Sequence, residues 1–401
     1  MDRIVIVGAG QAGASLASRL RAEGFAGSLT LIGAEPVAPY QRPPLSKAYL
    51  LGEMPLDRLL LRAPEFWAAQ QIDLRTGIAV RSVDRQTRRV LLSDGSALPY
   101  DALALTTGAR PRRLPMAIGG SLSGVHVVRS LADVDAMAPE FRSGRQVAIV
   151  GGGYIGLEAA AVAAQRGLAV TVIEAAPRIL ARVACAETAD WFRSLHRSHG
   201  VIVREGVALE RLEGEGHVTG ARLADGTLVG ADFVIVGIGI LPDTELAAAA
   251  GLAIHDGIAT DAFGRTDDPA IWAAGDCASF PLQRGRLRLE SVPNAIDMAD
   301  CVARNMLGAA EPYSPKPWFW SDQYDVKLQI AGLGAGADRI IVRDTAPARS
   351  HWYYSGERLI AVDAMNDPRA FMVARRLIED GRTPAQSAVA NPATDLRTLL
   401  A

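Results

Sequence analysis

The chain of 401 residues is longer than a typical single domain, so we expect two or three domains. Hydrophobic residues make up 49% and charged residues 21%, and the formal net charge of −2 argues against a general nucleic-acid-binding protein. Apolar runs of transmembrane length and room for a signal peptide are both missing, so we expect neither a membrane segment nor export. Three scattered cysteines favour the cytoplasm and do not supply the redox dithiol of a disulfide reductase: Cys185, Cys277 and Cys301.

A strand followed by a glycine-rich turn opens the chain. Residues 4–7 are apolar and mostly β-branched, which is typical of a strand buried on both faces. Gly8, Gly10 and Gly13 then form the pattern G-x-G-x-x-G, which lets backbone and a helix N-terminus approach a pyrophosphate. Glu35 ends a second strand about 20 residues later, where an acid is expected to bind a ribose hydroxyl.

The same pattern recurs after residues 147–150, with glycines at Gly151, Gly153 and Gly156. Two such units predict two dinucleotides, most simply FAD and NAD(P)H. Glu174, at the end of the next strand, can accept a hydrogen bond from the 2′-hydroxyl of NADH and repels the 2′-phosphate of NADPH, so we expect NADH to be preferred. Nearby Arg178 and Arg182 leave NADPH open as an alternative.

Three further segments point to the first nucleotide. Ser46 is expected to cap a helix that begins at Lys47 and to aim Lys47 at the nucleotide, although a solvated surface lysine is an equal alternative. Asp276 ends a short apolar strand and is expected in the ligand crevice, or else in a turn. A helix over residues 293–306 would direct its N-terminal N–H groups at the flavin.

The remaining elements predict the domain organisation. An α/β fold with two dinucleotide-binding domains and a C-terminal α+β domain is expected. The strand at 233–236 is expected to return the chain to the first domain. The C-terminal part alternates like an antiparallel sheet followed by a helix. The predicted segments are FAD-binding 1–108, NADH-binding 109–232, FAD-binding 233–312 and C-terminal 313–401.

Four motifs together resemble the ferredoxin reductases of bacterial oxygenase systems, over essentially the whole chain. They lie at residues 42–47, 275–276, 291–295 and 318–323. The resemblance implies a glutathione-reductase-like fold, with an FAD domain in two segments, an inserted NADH domain and a C-terminal domain. It implies electron transfer from NADH through FAD to a [2Fe-2S] ferredoxin, which serves a P450 or a Rieske oxygenase.

The resemblance also implies roles for individual residues. Lys47 would lie near the flavin and Glu158 would face the nicotinamide carboxamide, which makes them the predicted catalytic residues. Trp318 or Trp320 is expected in the core or against the flavin, and Trp320 is the predicted cofactor contact. The other predicted FAD-binding residues are Gly8, Gly10, Ala12, Gly13, Glu35, Val80, Arg129, Asp276 and Val292. The other predicted NADH-binding residues are Gly153, Tyr154, Ile155, Gly156 and Glu174.

Docking of an acidic ferredoxin requires a basic patch. The candidates are a hairpin with Arg284, Arg286 and Arg288, and a helix with Arg375 and Arg376; a merely solvated face is the alternative for each. No metal site is expected, and the chain is expected to be a monomer or weak dimer. A rubredoxin reductase, a monodehydroascorbate-type reductase and an NADH-responsive signalling flavoprotein remain alternative functions.

Overall fold

The computed structural model describes residues 1–282 and 285–400, and the chain divides into two compact units. The first unit contains Met1–Gln41, Pro55–Arg110 and Leu241–Pro317. The second contains Arg42–Met54, Pro111–Ile240 and Trp318–Ala401. The short segment Arg42–Met54, which was predicted to belong with the FAD-binding domain, therefore lies in the second unit.

A five-stranded parallel sheet is the centre of the first unit. Four of its strands are mainly apolar and almost entirely buried, which is typical of a parallel sheet, whereas the edge strand Ile72–Arg75 is mixed in polarity and only partly buried. Two helices, Gln11–Ala22 and Val292–Met306, pack against each other. The order of strands across the sheet is Ile271–Ala273, Ala102–Leu105, Arg3–Val7, Ser28–Ile32 and Ile72–Arg75.

Smaller elements complete the first unit. A three-stranded antiparallel sheet contains Val80–Asp84, Arg89–Leu92 and Ala97–Pro99, and a second small sheet contains Ile258–Ala259, Ala278–Pro281 and Arg286–Leu287. The remaining helices are Leu56–Leu59, Pro64–Ala69 and Glu245–Ala249. The strands Ala109–Pro111 and Ile240–Pro242 each span a point where the chain passes between units.

The second unit contains another five-stranded parallel sheet. Its strand Phe233–Val236 pairs with Gln146–Val150, so the prediction that residue 233 begins the return to the first domain is wrong. The strand is apolar enough for either sheet, and the return occurs only at Leu241. The order across the sheet is Ile202–Glu205, Ala169–Glu174, Gln146–Val150, Phe233–Val236 and Val125–Val127.

The predicted C-terminal α+β arrangement is confirmed as an antiparallel sheet backed by a helix. Helix Pro368–Glu379 is capped by Asp367, whose side chain accepts a hydrogen bond from the backbone N–H of Ala370. It packs its apolar face on strand Arg358–Met365. The order across the sheet is Trp318–Gln323, Val326–Gly332, Arg358–Met365, Ala348–Ser355 and Arg339–Thr345.

The other elements of the second unit are short, apart from two helices. The helices are Leu131–Met137, Tyr154–Gln165, Ala186–Ser198 and Gln386–Ala390. The single turns of 3₁₀ helix are Pro43–Ser46, Met116–Ile118, Ala138–Glu140 and Leu396–Leu400. A small antiparallel sheet contains Leu209–Glu213, Gly220–Leu223 and Leu228–Gly230. No helix in the described ranges is both long and apolar enough to cross a membrane.

Candidate dinucleotide-binding sites

The first glycine-rich turn joins strand Arg3–Val7 to helix Gln11–Ala22. Gly8 has a φ of 110°, and a Cβ there would lie 2.2 Å from the carbonyl oxygen of Thr106. A Cβ on Gly13 would lie 2.0 Å from the carbonyl oxygen of Gly8. A Cβ on Gly10 would meet nothing within 4 Å. The protein itself therefore requires the outer two glycines, whereas the open space at Gly10 fits a ligand phosphate that approaches the backbone.

Helix Gln11–Ala22 has no side chain that caps its N-terminus. The first-turn N–H groups and the positive end of the helix dipole are thus available to an anion. The hydroxyl of Thr106 donates to the carbonyl oxygens of Gly8, at 2.8 Å, and Val7, at 3.1 Å, which holds the turn closed. This backbone arrangement fits the pyrophosphate of a dinucleotide.

Polar residues follow successive strands at the same edge of this sheet. Asp276, Thr106, Gly8 and Glu35 come shortly after four neighbouring parallel strands. In parallel sheets this edge is where ligands bind. The Glu35 carboxylate accepts a hydrogen bond from the hydroxyl of Tyr40 at 2.5 Å, which orients it. The first unit therefore brings together the acids that the sequence singled out.

Three other predicted FAD contacts also lie in the first unit. A Cβ on Gly275 would lie 2.9 Å from the Cβ of Ala12. The missing side chain at Gly275 therefore permits the close approach of helix Gln11–Ala22. Val292 begins helix Val292–Met306, which is capped by the Ser291 hydroxyl. Val80 begins a strand of the antiparallel sheet and is half-buried against the core of this unit. Their contacts with the cofactor remain predictions.

The second glycine-rich turn repeats the geometry of the first. Gly151 has a φ of 109°, and a Cβ there would lie 2.4 Å from the carbonyl oxygen of Gly237. A Cβ on Gly156 would lie 2.1 Å from the carbonyl oxygen of Gly151, whereas one on Gly153 would meet nothing within 4 Å. Helix Tyr154–Gln165 also lacks a side-chain cap. The second turn therefore fits a second dinucleotide.

The backbone holds Glu174 firmly. Its two carboxylate oxygens accept hydrogen bonds from the N–H groups of Gly152 and Ala176, each at 2.7 Å. The carboxylate thus lies against the glycine-rich turn, where it opposes a 2′-phosphate. Arg178 donates N–H groups to backbone carbonyls that include those of Ala184 and Cys185, so these donors are not directed at a 2′-phosphate.

Two predicted NADH contacts occupy the first turn of helix Tyr154–Gln165. The side chain of Ile155 is 41% exposed, which is unusual for isoleucine and places an apolar surface beside the open N-terminus. The ring of Tyr154 packs on Phe319, with 4.8 Å between centroids. Its hydroxyl is buried and has no hydrogen-bond partner among the described residues, and burial raises the pKa of Tyr154.

The two predicted catalytic residues form a buried ion pair. Lys47 Nζ lies 2.8 Å from Oε2 of Glu158, and Lys47 also donates to the carbonyl oxygen of Pro43. Glu158 is only 4% exposed and accepts two further hydrogen bonds of 2.6 Å, from Ser46 to Oε2 and from Ser321 to Oε1. A carboxylate has about four acceptor positions, so one remains for a ligand N–H group.

The predicted helix after Ser46 is absent. A single 3₁₀ turn, Pro43–Ser46, ends before Lys47, because its two prolines suit a first helical turn and the Ser46 hydroxyl bonds Glu158 instead of a backbone N–H. Lys47 is directed at Glu158 and is not a solvated surface lysine, since its side chain is 16% exposed.

Three residues assigned to FAD by resemblance lie in the second unit: Lys47, Arg129 and Trp320. Arg129 precedes the capping box of helix Leu131–Met137, and its carbonyl accepts a hydrogen bond from Arg42 at 2.6 Å. Trp318 packs on Phe371 of the C-terminal core, and Trp320 is half-buried beside it. The cofactor roles of these three residues remain predictions.

The candidate docking arginines are engaged within their own units. Arg286 donates to backbone carbonyls, and Arg288 pairs with Glu290. Arg375 and Arg376 each pair with an acid four residues later in their helix. Arg284 lies outside the described residues. A docking role for either group stays a prediction.

The cysteines are not paired with one another. Cys277 is fully buried and directs its thiol at backbone carbonyls, as expected for a small core residue. Cys185 lies near His351 and Asp363, and their ligand atoms fall within 4.8 Å of one another. The Thr188 hydroxyl lies among them, 2.6 Å from Asp363 and 2.7 Å from His351. It therefore fills the place that a metal ion would need.

A family model described as pyridine nucleotide-disulphide oxidoreductase matches residues 2–299, and one described as reductase C-terminal matches residues 318–400. The chain belongs to the pyridine nucleotide-disulphide oxidoreductase family. The reductase is 43% identical to rhodocoxin reductase of Rhodococcus erythropolis, over 96% of this chain and 92% of that protein. It is 42% identical to putidaredoxin reductase CamA of Pseudomonas putida, over 96% and 93%.

Solved structures agree with these relatives. The reductase superposes on the covalent putidaredoxin reductase–putidaredoxin complex with a TM-score of 0.96 and 40% identity, covering 100% of this chain and 98% of that chain. The ferredoxin reductase for the CYP199A2 system from Rhodopseudomonas palustris gives a TM-score of 0.96 and 39% identity, with full coverage of both. The resemblance to ferredoxin reductases and the predicted fold class are confirmed, and the reductase uses FAD and NADH.

Sequence reasoning missed several residues that complete these sites. Ser46 and Ser321 hold Glu158, and Thr106 closes the first turn. Both serines lie in motifs that carried the family resemblance, so the motifs marked the right segments without showing their contacts. The alternation of Phe319, Ser321 and Gln323 along one strand is the signal that places them on a common face.

Proposed function

We propose that the reductase passes electrons from NADH, through FAD, to a [2Fe-2S] ferredoxin that serves a cytochrome P450 or a Rieske oxygenase. The relatives whose names include a P450 or dioxygenase system support this proposal, since they match nearly the full chain. The observation that carries it is the pair of glycine-rich turns. In each turn, a Cβ on the middle glycine, Gly10 or Gly153, would meet no protein atom within 4 Å, which leaves space for a ligand. The cytoplasmic location, supported by three free cysteines, is part of the same proposal.

The first unit supplies the residues proposed to hold FAD. The N–H groups at the uncapped start of helix Gln11–Ala22 bind the pyrophosphate, and Glu35 accepts from the adenosine ribose. When bound, FAD accepts two electrons as a hydride and returns them one at a time. The further residues proposed for FAD are Gly8, Gly10, Ala12, Gly13, Val80, Asp276 and Val292, with Lys47, Arg129 and Trp320 from the second unit.

The second unit supplies the residues proposed to hold NADH. The N–H groups after Gly153 bind the pyrophosphate, and Ile155 covers it with an apolar side chain. Glu174 accepts from the 2′-hydroxyl and repels a 2′-phosphate, while Arg178 is committed to backbone carbonyls. NADH is therefore proposed as the preferred donor.

The Lys47–Glu158 pair is proposed to orient the reacting groups. The remaining acceptor position of Glu158 suits the N–H of the nicotinamide carboxamide. The positive charge of Lys47 is balanced by Glu158 before reaction, and it favours negative charge that develops nearby during reduction. Positioning of this kind carries most of the rate, because hydride transfer needs no proton-transfer residue.

The test is rapid-mixing reduction of the purified flavoprotein by NADH and by NADPH, followed by turnover with several acceptors. We expect fast flavin reduction by NADH, slower reduction by NADPH, and fast turnover with a [2Fe-2S] ferredoxin. Preferential turnover with rubredoxin or monodehydroascorbate would refute the proposed acceptor. A folded protein that neither contains nor takes up FAD would refute the whole function.

A further inference from the structure

The buried carboxylate of Glu158 is the end of a longer line of hydrogen bonds in the second unit. Ser321 Oγ donates to Glu158 Oε1 at 2.6 Å. Gln323 Nε2 donates in turn to Ser321 Oγ at 3.1 Å. Ser321 and Gln323 lie two positions apart on strand Trp318–Gln323, on the same face, and both are fully buried. Two residues of one strand therefore connect Glu158 to the interior.

The line continues to a buried histidine. The carbonyl oxygen Oε1 of Gln323 lies 2.8 Å from Nε2 of His196, and an amide oxygen can only accept. Nε2 of His196 must therefore carry the proton. The other ring nitrogen, Nδ1, lies 3.2 Å from the hydroxyl of Tyr324. It accepts this hydrogen bond if the ring is neutral, and burial lowers the pKa of His196 to about 4.

All donors in this line consequently point the same way. The order is Tyr324 to His196, His196 to Gln323, Gln323 to Ser321, and Ser321 to Glu158. Aligned hydrogen bonds polarise one another, so the last bond, to the charged oxygen, is strengthened by those behind it. Glu158 and Gln323 determine the direction, because a carboxylate only accepts and the amide nitrogen that faces Ser321 only donates.

We propose that Ser321 and Gln323 are positioning residues for the reduction of flavin by NADH, acting by holding the Glu158 carboxylate through this one-directional line from Tyr324. The proposal rests on the proposed function, in which Glu158 receives the nicotinamide carboxamide. Ser46 and Lys47 take both acceptor positions of Oε2, and Ser321 takes one of the two on Oε1, so the remaining position lies on Oε1 and has a single direction. Neither positioning residue is proposed to touch the substrate.

The first test removes the last bond of the line. Ser321→Ala is expected to lower the rate constant of flavin reduction by NADH about tenfold, because the Glu158 carboxylate loses a charge-assisted hydrogen bond that orients it. We also expect weaker binding of NAD⁺ to the oxidised protein in calorimetry, a measurement that needs no turnover. Transfer from reduced flavin to ferricyanide is expected to stay unchanged.

A matched control exists in the same sheet. Ser350 is also fully buried, accepts one hydrogen bond from Trp352 and donates one to the carboxylate of Asp367. Ser350→Ala therefore removes the same kind of bond without touching Glu158. It is expected to lower the melting temperature about as much as Ser321→Ala while leaving flavin reduction and NAD⁺ binding at wild-type values. Equal kinetic effects of both variants would overturn the proposal.

The second test reverses the line. Gln323→Glu places an acceptor beside Ser321 when the new carboxyl is ionised, so the Ser321 hydroxyl is drawn away from Glu158. When that carboxyl is protonated, it donates to Ser321 as the amide does. Flavin reduction in Gln323→Glu should therefore approach the wild-type rate at acid pH and fall about tenfold as pH rises, relative to wild type at each pH. Gln323→Leu leaves Ser321 free to donate and should be milder at neutral pH. A pH-independent ratio would overturn the proposal.

Nuclear magnetic resonance can test the direction of the hydrogen bonds between Tyr324 and Glu158. Histidine-selective ¹⁵N labelling should show His196 as the neutral form with its proton on Nε2 at pH 7. A proton on Nδ1, or a charged ring, would overturn the proposed direction. Glu158→Gln distinguishes the proposed role of Glu158 from the positioning role of Ser321 and Gln323. If this variant still reduces flavin fast, the proposed role of Glu158 fails. If it is slow while Ser321→Ala matches Ser350→Ala, only the positioning role fails.

Discussion

The two units differ in how they use buried charge. In the first unit, the buried polar side chains among the described residues are threonine, serine and asparagine, apart from tyrosine and cysteine. All buried aspartate, glutamate, histidine and arginine side chains of the described chain lie in the second unit: Glu158, His196, Arg343, His351, Asp363 and Asp367. A buried charge costs free energy unless it is paired or hydrogen-bonded, so each needs dedicated partners.

The glycine-rich turns, in contrast, are nearly identical in the two units. Gly8 and Gly151 have φ values of 110° and 109°, and each faces a backbone carbonyl at a distance that excludes a Cβ. The difference in buried charge therefore does not arise from dinucleotide binding as such. Of these residues, only Glu158, with His196 in its line of hydrogen bonds, belongs to a task proposed for the second unit, which is to orient nicotinamide. Asp367 instead caps helix Pro368–Glu379, and Arg343 donates to backbone carbonyls.

The largest expected effect tests the structural glycines. Gly13→Ala and Gly156→Ala would place a methyl carbon 2.0 and 2.1 Å from a backbone oxygen, far closer than unbonded atoms can approach. We expect each to destabilise its unit by roughly 3 kcal/mol or more, measured by urea unfolding, because backbone must move. Wild-type stability in either variant would contradict the close packing described for that turn.

The buried carboxyl group of Asp363, in the second unit, predicts a variant that is more stable than the wild type. Burial raises the pKa of Asp363 from 3.8 to about 6, and the hydroxyl groups of Thr188 and Tyr353 donate hydrogen bonds to it. The carboxyl of Asp363 therefore binds its proton more tightly in the folded than in the unfolded state. The stability that this proton contributes is fully present below pH 3.8 and is lost as pH rises through 6. In Asp363→Asn the amide oxygen still accepts both hydrogen bonds. Because the amide does not ionise, the variant does not lose stability as pH rises. We expect it to be more stable than wild type by up to about 3 kcal/mol above pH 6.

Urea unfolding at several pH values checks this prediction. The difference between Asp363→Asn and wild type should grow between pH 4 and pH 6 and stay constant at higher pH. A difference that is already constant at pH 4 would show that the carboxyl titrates normally. The first unit, without a buried carboxylate among its described residues, provides no equivalent variant.

The middle glycines separate ligand binding from folding. Gly10→Ala should fold normally, since its Cβ meets no protein atom within 4 Å, but should weaken FAD binding about 100-fold by blocking the phosphate. Gly153→Ala should keep FAD and weaken NADH binding by a similar factor. Flavin content and NAD⁺ titration measure the two effects. Loss of FAD from Gly153→Ala alone would exchange the assignments of the two turns.

The smallest expected effect concerns donor choice. Glu174→Gln removes the negative charge and replaces one acceptor oxygen by an NH₂ group. This NH₂ donor would face the N–H donor of Gly152 or Ala176. We expect the preference for NADH over NADPH, as a ratio of kcat/KM, to fall about tenfold. Glu35→Gln is the corresponding change in the first unit and should leave this ratio unchanged. An unaltered ratio in Glu174→Gln would remove Glu174 from donor selection.

Local sequence was enough to predict the two turns and their strands. The glycine spacing and the β-branched runs act over about ten residues, and steric requirements within that span leave few alternatives. The same reasoning failed at Ser46, where the cap of a helix was predicted and a bond to Glu158 was found. It also failed at strand Phe233–Val236, whose apolar residues suit either sheet. Local pattern carries no information on which distant partner a strand or a hydroxyl selects.

The sequence by itself thus determined the two dinucleotide folds, the acid that follows each and the family. Only the tertiary structure decided which side chains act together, because Ser46, Glu158 and Ser321 come from three distant parts of the chain. It also decided that Arg178 is committed to carbonyl groups and that the line to Glu158 runs in one direction. The physical reason is that hydrogen bonds and ion pairs depend on distance in space, which sequence spacing does not specify.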